Sequence, residues 1–190
     1  MILLVAGLVL FLGIHSISIV APAWRDAQVA QRGDKGWKGI YTVVSLIGFA
    51  LLLYGYGLAR QAPVVLYSPP VWMRHVTALL MIPVFPLLIA AYAPGRIKAA
   101  AKHPMLAATK LWAFAHLLSN GTLADVLLFG GFLAWAVADR ISLKKRPARP
   151  IPGAPAGPMN DLIAVVAGLA IYALFVLKAH AWLFGVSPLG

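Results

Sequence analysis

The sequence predicts an all-α membrane protein, a polytopic bundle of about six transmembrane helices with both chain ends on the non-cytoplasmic side. Of the 190 residues, 62% are hydrophobic and the mean hydropathy is +0.87, whereas soluble domains are about 45–50% apolar. Only 11% of the residues are charged. They fall in clusters between apolar runs, which is how membrane proteins distribute charge because hydrocarbon-facing surfaces carry none.

Six apolar runs approach the length needed to cross a hydrocarbon core of about 30 Å. We place them in a single domain, residues 1–190, at about 2–21, 40–59, 72–93, 104–119, 122–139 and 160–185. The fourth run is short and the least apolar, so we expect the other helices to shield it. No basic residue precedes the first run, which favours a retained span over a signal peptide. Prolines in the segment 144–158 exclude helix and sheet and predict a linker.

Basic residues concentrate in alternate connections between the runs. The connections after the first, third and fifth runs carry most of the lysine and arginine, and the opposite ones carry only Arg60 and Arg74. The positive-inside rule therefore places the three basic connections in the cytoplasm. Contact with anionic lipid headgroups accounts for the net charge of +11, so we expect the lipid bilayer as a partner and no nucleic acid.

The sequence excludes several kinds of site. It has no cysteine, so disulfides, thiolate metal sites and cysteine nucleophiles are absent. Asp125 is the one carboxylate clearly inside a run, and it has capping-box spacing from Thr122. Its alternative role is to orient a histidine by accepting an imidazole N–H. Without a carboxylate pair, acid–base hydrolysis is disfavoured, and no catalytic residue is assigned.

Histidines are the candidate functional residues, because an ionisable group inside a membrane is costly and neutral imidazole is a good ligand for haem iron. His15 and His116 lie well inside apolar runs. His75 and His180 lie near membrane boundaries, where contact with headgroups competes as an explanation. His103 precedes Pro104 at a predicted helix start, which favours a capping or interfacial role. A single histidine in a bundle is more often a packing residue than a ligand.

Three segments of the chain resemble the NnrU family of small bacterial inner-membrane proteins associated with denitrification. The most specific comprises His103-Pro104-Met105-Leu106 and the run Lys110-Leu111-Trp112-Ala113-Phe114-Ala115-His116-Leu117-Leu118-Ser119-Asn120-Gly121. The Gly13-x-His15 element and the run Leu128-Phe129-Gly130-Gly131-Phe132 are also similar to that family. The resemblance extends over nearly the whole chain.

NnrU proteins more distantly resemble 15-cis-zeta-carotene isomerase, a membrane enzyme that holds haem b through histidines. The resemblance implies haem b as the cofactor and His116 and His15 as its iron ligands. Depth in the membrane points to a different set: with a rise of about 1.5 Å per residue, His15 and His116 differ by roughly 10 Å. His75, His116 and His180 cluster in the outer half by the same measure. We therefore rank His116 first, His15 second, and His75 and His180 below them.

Three functions remain open from the sequence. The first is a haem-b protein in nitric oxide and denitrification metabolism, with a nitric oxide reductase component as a partner. The second is a haem-dependent cis–trans isomerase of a carotenoid-like polyene, which requires a hydrophobic small-molecule substrate. The third is a non-enzymatic membrane assembly or accessory factor. Whether the protein is an enzyme is undecided at this level.

Overall fold

The computed structural model describes residues 1–147, 149 and 151–190 and is all-helical over them, which confirms the all-α part of the predicted fold class. Within this part of the chain, four helical segments are long and apolar enough to cross a membrane: Ile2–Val20, Pro22–Ala59, Met73–Tyr92 and Asn160–Phe184. Two further helices occupy the fourth and fifth predicted runs, but the first of these has only 16 residues and the second carries Asp125, Asp139 and Arg140. The count of six spans stays a prediction.

Helices α1 (Ile2–Val20) and α2 (Pro22–Ala59) form an antiparallel pair. Glycines bring the two backbones together: a Cβ at Gly48 would overlap the backbone of Phe11, and one at Gly55 would overlap the backbone of Leu4. Small residues allow this approach where lipid provides no hydrophobic drive between helices. The α1–α2 pair forms one side of the bundle.

The predicted connection between the first two runs was wrong, because residues 22–32 are helical. Pro22 starts α2 at a position where its missing N–H is not needed. The helix is interrupted only at Gly33, whose φ of 74° is accessible to glycine without strain. Hydropathy shows where a helix is apolar but not where it ends. The polar part of α2 before Gly33, residues 22–32, which we call the arm, was therefore not predicted as helix.

The third predicted run is broken into α3 (Met73–Met81) and α4 (Val84–Tyr92). Pro83 lies at the break, since proline removes a backbone donor and clashes with the preceding turn. The short helix α5 (Arg96–Ala101) follows, and α6 (Pro104–Ser119) begins and ends at the residues predicted for the fourth run.

The remaining helices are α7 (Leu123–Ser142) and a final segment made of α8 (Asn160–Leu174), a π-helical turn (Phe175–Ala179) and α9 (His180–Phe184). Helix α6 packs against α3, α4 and α7, α7 packs against α1, and α8 packs against α4. The two helices that are short or charged therefore lie between the apolar spans. The linker has no helix in its described residues from 147 to 157; Ala148 and Pro150 lie outside the described residues.

The bundle has two chemically different ends. At the basic end, the start of α6 and the last turn of α7 meet the junction of α1 with α2, where Arg149 donates to Ser18. At the opposite end, which we call the turn end, the α6–α7 turn meets the segment after α2, where Leu123 N donates to Val64 O. Large apolar side chains cover much of the exposed surface between the ends, including Leu46 at 61% and Leu177 at 67% exposed. Such a surface suits lipid rather than water.

Candidate functional site

His116 lies in the last turn of α6, near the turn end, and its ring is partly buried. Its Nδ1 donates to the carbonyl oxygen of Trp112 at 2.8 Å. Because a carbonyl only accepts, this bond places the proton on Nδ1 and leaves the Nε2 lone pair available for a metal. The ring stacks on Phe129 of α7, with centroids 4.6 Å apart, and packs at 5.4 Å from Trp112.

The second histidine inside the apolar runs, His15, has the same kind of bond. Its Nδ1 donates to the Phe11 carbonyl at 2.6 Å, and its ring lies among Phe11, Tyr41 and Trp135. Two buried polar atoms in this region, Ser45 Oγ and Trp135 Nε1, have no hydrogen-bond partner among the described residues. His15 is therefore also a fixed tautomer with a free Nε2, in a more polar setting than His116.

Helix α7 gives a direct measure of the separation between these two histidines. His116 contacts Phe129 and His15 contacts Trp135, six residues further along the same helix, which is about 9 Å of rise. Two imidazole nitrogens on one metal ion are only about 4 Å apart, since each bond is about 2.0 Å. These contacts place the two rings at different levels along α7, in line with the depth difference expected from the sequence.

His180 begins α9 immediately after the π-helical turn. Its Nδ1 donates to the carbonyl of Val186 at 2.7 Å, so its Nε2 is also free. Arg60, which follows α2, donates to the Phe184 carbonyl at 2.8 Å, and this contact places α9 at the turn end, where His116 lies. Single π-helical turns often occur at functional sites because they rotate one side chain out of the regular helical register. These features favour His180 as a partner of His116 more than its rank from the sequence did.

The other two histidines lie at opposite ends of the bundle. His75 is exposed near the start of α3, which packs against α6. His103 is the N-cap residue of α6, at the helix start predicted for it, but its side chain makes no capping hydrogen bond, which leaves the interfacial one of the two expected roles. Desolvation lowers the pKa of the His103 imidazole, and the neighbouring Arg140 lowers it further, which favours the neutral ring at the basic end.

Asp125 is 5% exposed and caps α7, as its spacing predicts. Thr122 N and Oγ1 both donate to Asp125 Oδ2, at 2.9 and 2.7 Å. The hydroxyl of Tyr56 on α2 donates to Oδ1 at 2.6 Å. The alternative role of orienting a histidine is not what the structure shows, because the Nδ1 of His116 bonds to Trp112 instead. Asp125 positions α7, and so Phe129, against α2.

The segment after α2 holds the turn beside His116. Leu66 N and Tyr67 N donate to Gly121 O at 2.8 and 3.1 Å. The Tyr67 hydroxyl reaches the carbonyl oxygens of Leu117 and Asn120 at 2.5 and 2.8 Å. A Cβ at Gly121 would overlap the Tyr67 carbonyl, which explains the glycine at this turn. The segment after α2 therefore holds both the last turn of α6 and the turn that follows it.

Among the described residues, no group of three or more histidine and carboxylate side chains could hold a metal ion on its own. A site here would rest on one or two imidazoles, which is how haem iron is held. The family model described as NnrU protein matches residues 3–188. The chain belongs to the NnrU family. No curated protein matches the chain, and no solved structure matches it either.

Membership of the NnrU family confirms the resemblance seen in the sequence, and the helices confirm a membrane protein of that family. Three residues that organise the site in this NnrU protein were not singled out from the sequence as parts of it: Phe129, Tyr56 and Tyr67. Their contacts are with residues 13, 69 and at least 50 positions away. No local sequence pattern predicts such contacts. Covariation of the tyrosine and aspartate positions among homologues would have suggested the second.

Proposed function

We propose that this NnrU protein is a six-span bacterial inner-membrane protein that binds haem b through His116 and acts in nitrogen-oxide metabolism. In this arrangement the basic end faces the cytoplasm and the turn end, with both chain termini, faces the opposite side. The observation that carries the proposal is the His116 ring, embedded between aromatic side chains with its proton held on Nδ1. A polar ring in such surroundings is costly unless a partner uses its free nitrogen.

The residues near His116 fit a haem in three respects. His180 offers a second free Nε2 near the same end, so the two imidazoles are candidates for opposite faces of one iron. Arg60 and Arg74 lie in the connections of that end and would pair with the haem propionates. Arg74 Nε is buried with no partner among the described residues, as expected for a donor whose anion belongs to a bound group.

His15 does not fit the same iron as His116, because about 9 Å of helix rise separates the residues that they contact on α7. We therefore assign it below His180 as a partner of His116. The chemistry that a bound haem would supply is ligand exchange at iron, with nitric oxide as the exchanging ligand. The protein would fix the imidazoles, exclude water with Phe129 and Trp112, and hold the porphyrin in a low-dielectric layer.

The proposal is tested on the full chain purified in detergent. The wild-type protein is expected to show a Soret band as isolated or after haemin is added, and His116→Ala is expected to weaken it by about tenfold or more, as loss of a metal ligand does. His103→Ala is the matched control, because that histidine lies at the other end of α6. A wild-type protein that stays colourless when haemin is supplied would remove the haem proposal.

A haem-dependent isomerase of a carotenoid-like polyene is the second candidate, and one observation favours it. An apolar groove runs between α4 and α8, lined by Phe85, Leu88, Ile89 and Ile171. Phe85 packs on Phe175 with centroids 5.1 Å apart, at the start of the π-helical turn that leads to His180. Incubation of the reduced protein with a cis-polyene, followed by separation of product isomers, tests this candidate. If the isomers are unchanged although haem is bound, nitric oxide chemistry would remain as the haem-dependent function.

The accessory-factor alternative predicts no cofactor at all. It is favoured if the purified protein carries no haem yet co-purifies with a nitric oxide reductase component. The three functions are thereby separated by three measurements: an absorption spectrum, the product isomers of a cis-polyene and an inventory of co-purifying proteins.

A further inference from the structure

A crevice at the basic end lies between the end of α1 and the end of α7. We call it the α1–α7 crevice. Its polar lining is Ser18, Ser142, Lys145 and Arg146, and its apolar lining includes Ile19 and Ile141. We propose that this crevice binds the phosphate group of an anionic phospholipid, with the acyl chain lying along the apolar wall.

Arg146 provides the first argument. Its Nη2 donates to Asp139 Oδ1, and both side chains are largely buried, at 15% and 12% exposed. Its Nη1 is buried and has no hydrogen-bond partner among the described residues. Buried polar groups in folded proteins are nearly always paired. One edge of the guanidinium is therefore satisfied by Asp139, and the other lacks an acceptor among the described residues although Arg146 lines the crevice.

The hydroxyl groups provide the second argument. Ser18 Oγ accepts a hydrogen bond from Arg149 Nη1 at 3.2 Å, which leaves its own proton free to donate. Ser142 contributes a second hydroxyl from the last turn of α7. A guanidinium edge, an ammonium and two hydroxyls form a set of donors without an acceptor of their own, and phosphate oxygens are the acceptors that such sets bind.

Charge provides the third argument. The carboxylates near the crevice are already engaged: Asp139 pairs with Arg146, and Asp26 pairs with Arg25 and Arg149. Lys145 forms no ion pair among the described residues and lines the crevice. The local balance is positive, so an anion is favoured over a zwitterion or a neutral headgroup.

The apolar wall distinguishes a lipid from a free anion. Ile19, Pro22, Ala138 and Ile141 form the apolar part of the crevice lining. A site for free phosphate has no use for this surface, whereas a diacyl lipid covers it. Basic pockets between transmembrane helices on the cytoplasmic side are a known kind of site for anionic lipid headgroups.

The test uses the full chain in a neutral detergent and three probes: phosphatidylglycerol, phosphatidylcholine and inorganic phosphate. Native mass spectrometry is expected to show a discrete phosphatidylglycerol adduct, which phosphatidylcholine does not form and inorganic phosphate does not displace. Lys145→Gln and Ser142→Ala are each expected to weaken that adduct, the lysine change by about tenfold. Both leave the Asp139–Arg146 pair intact, so folding is not at stake.

Lys144→Gln is the matched control, because Lys144 is exposed in the same turn and does not line the crevice. It removes the same charge and is expected to leave the adduct unchanged. Equal loss in the Lys144 and Lys145 variants would overturn the proposal, since it would mean that only the overall charge of the connection matters. Saturable binding of inorganic phosphate without any preference for phosphatidylglycerol would overturn it as well.

Discussion

His116 and Phe129 face each other across the α6–α7 interface, with ring centroids 4.6 Å apart and planes inclined by only 24°. The stack fixes the orientation of the imidazole about its second side-chain torsion, while the Trp112 carbonyl fixes which nitrogen carries the proton. A ligand role needs both, because the free lone pair must point in one direction. Phe129 itself is 5% exposed and belongs to the apolar core between α1, α2 and α7.

Phe129→Leu therefore tests the stack. Because it also shortens a core side chain that packs on Tyr56 and Trp112, we expect the free energy of unfolding to fall by about 1–3 kcal/mol. We expect haem affinity to fall further than in the control variant. Titration with haemin, followed at the Soret band, measures the affinity. Phe114→Leu on the exposed face of α6 is the control. Equal haem affinity in the two variants would mean that the stack does not orient the ligand.

A comparison of His180→Ala with His15→Ala decides the partner of His116. The shared position near the turn end predicts that His180→Ala converts a six-coordinate haem to a five-coordinate one, whereas the separation along α7 predicts that His15→Ala does not. The change is read from the position of the Soret band and from the spin state of the ferric protein. The reverse result would restore the pairing that the family resemblance implies.

The sequence was sufficient for the apolar helices, because each of them is a continuous run of apolar residues that can be recognised locally. The start and end of α6 at Pro104 and Ser119 and the cap of α7 at Asp125 follow from signals within a few residues. The arm before Gly33 was missed because its polar residues form a helix as readily as they form a loop. Charge and hydropathy indicate whether a segment lies in water or in lipid, but they do not decide whether its backbone is helical.

The candidate site was predictable only in part, and the division follows sequence distance. His116 and His15 stand out because each is a polar residue in an apolar run. No local sequence feature shows that His116 contacts Phe129 while His15 contacts Trp135. These two contacts, at different positions along α7, are what separate the histidines. The π-helical turn before His180 is likewise invisible, because its residues, Phe175–Ala179, read as an ordinary apolar helix.

The hydrogen bond from Tyr56 to Asp125 predicts a measurable coupling between α2 and α7. Tyr56→Phe leaves the buried carboxylate short of one donor, and a hydrogen bond to a charged group contributes about 1.5–3 kcal/mol. We expect the free energy of unfolding to fall by that amount in detergent. Tyr54→Phe is the control, because that ring is 63% exposed on the same helix. Similar stabilities for the two variants would show that the bond contributes nothing net.

The close packing of α1 against α2 predicts different tolerance at two nearby glycines. A Cβ at Gly55 would overlap the backbone around Leu4, whereas one at Gly57 would meet nothing within 4 Å. Gly55→Val is expected to lower the free energy of unfolding by about 1–3 kcal/mol or more, as overpacking does. Gly57→Val carries the same change in helix propensity without the clash. Thermal unfolding of both variants in one detergent measures the difference, and equal midpoints would contradict the packing.

Asp26 predicts a pH dependence of the arm that precedes Gly33. Its hydrogen bond from Arg25 is the main reason that the pKa of the Asp26 carboxyl is lowered from 3.8, and Arg149 lowers it further. The folded carboxyl thus holds its proton less tightly than the unfolded one. The stabilisation from these contacts is complete above the unfolded pKa and is lost as the pH falls through the lower, folded pKa.

Trp24 reports on this change, because it lies next to Arg25 and packs edge-on against Trp37 at 5.9 Å across the Gly33 break. We expect its fluorescence to shift in a single transition below about pH 4, where Asp26 takes up its proton and releases Arg149. Asp26→Asn should abolish the transition, since the side chain no longer titrates. Asp34→Asn, whose wild-type partner is Lys38 beyond the break, should keep it. An identical transition in the Asp26 variant would place the acid sensitivity elsewhere in the bundle.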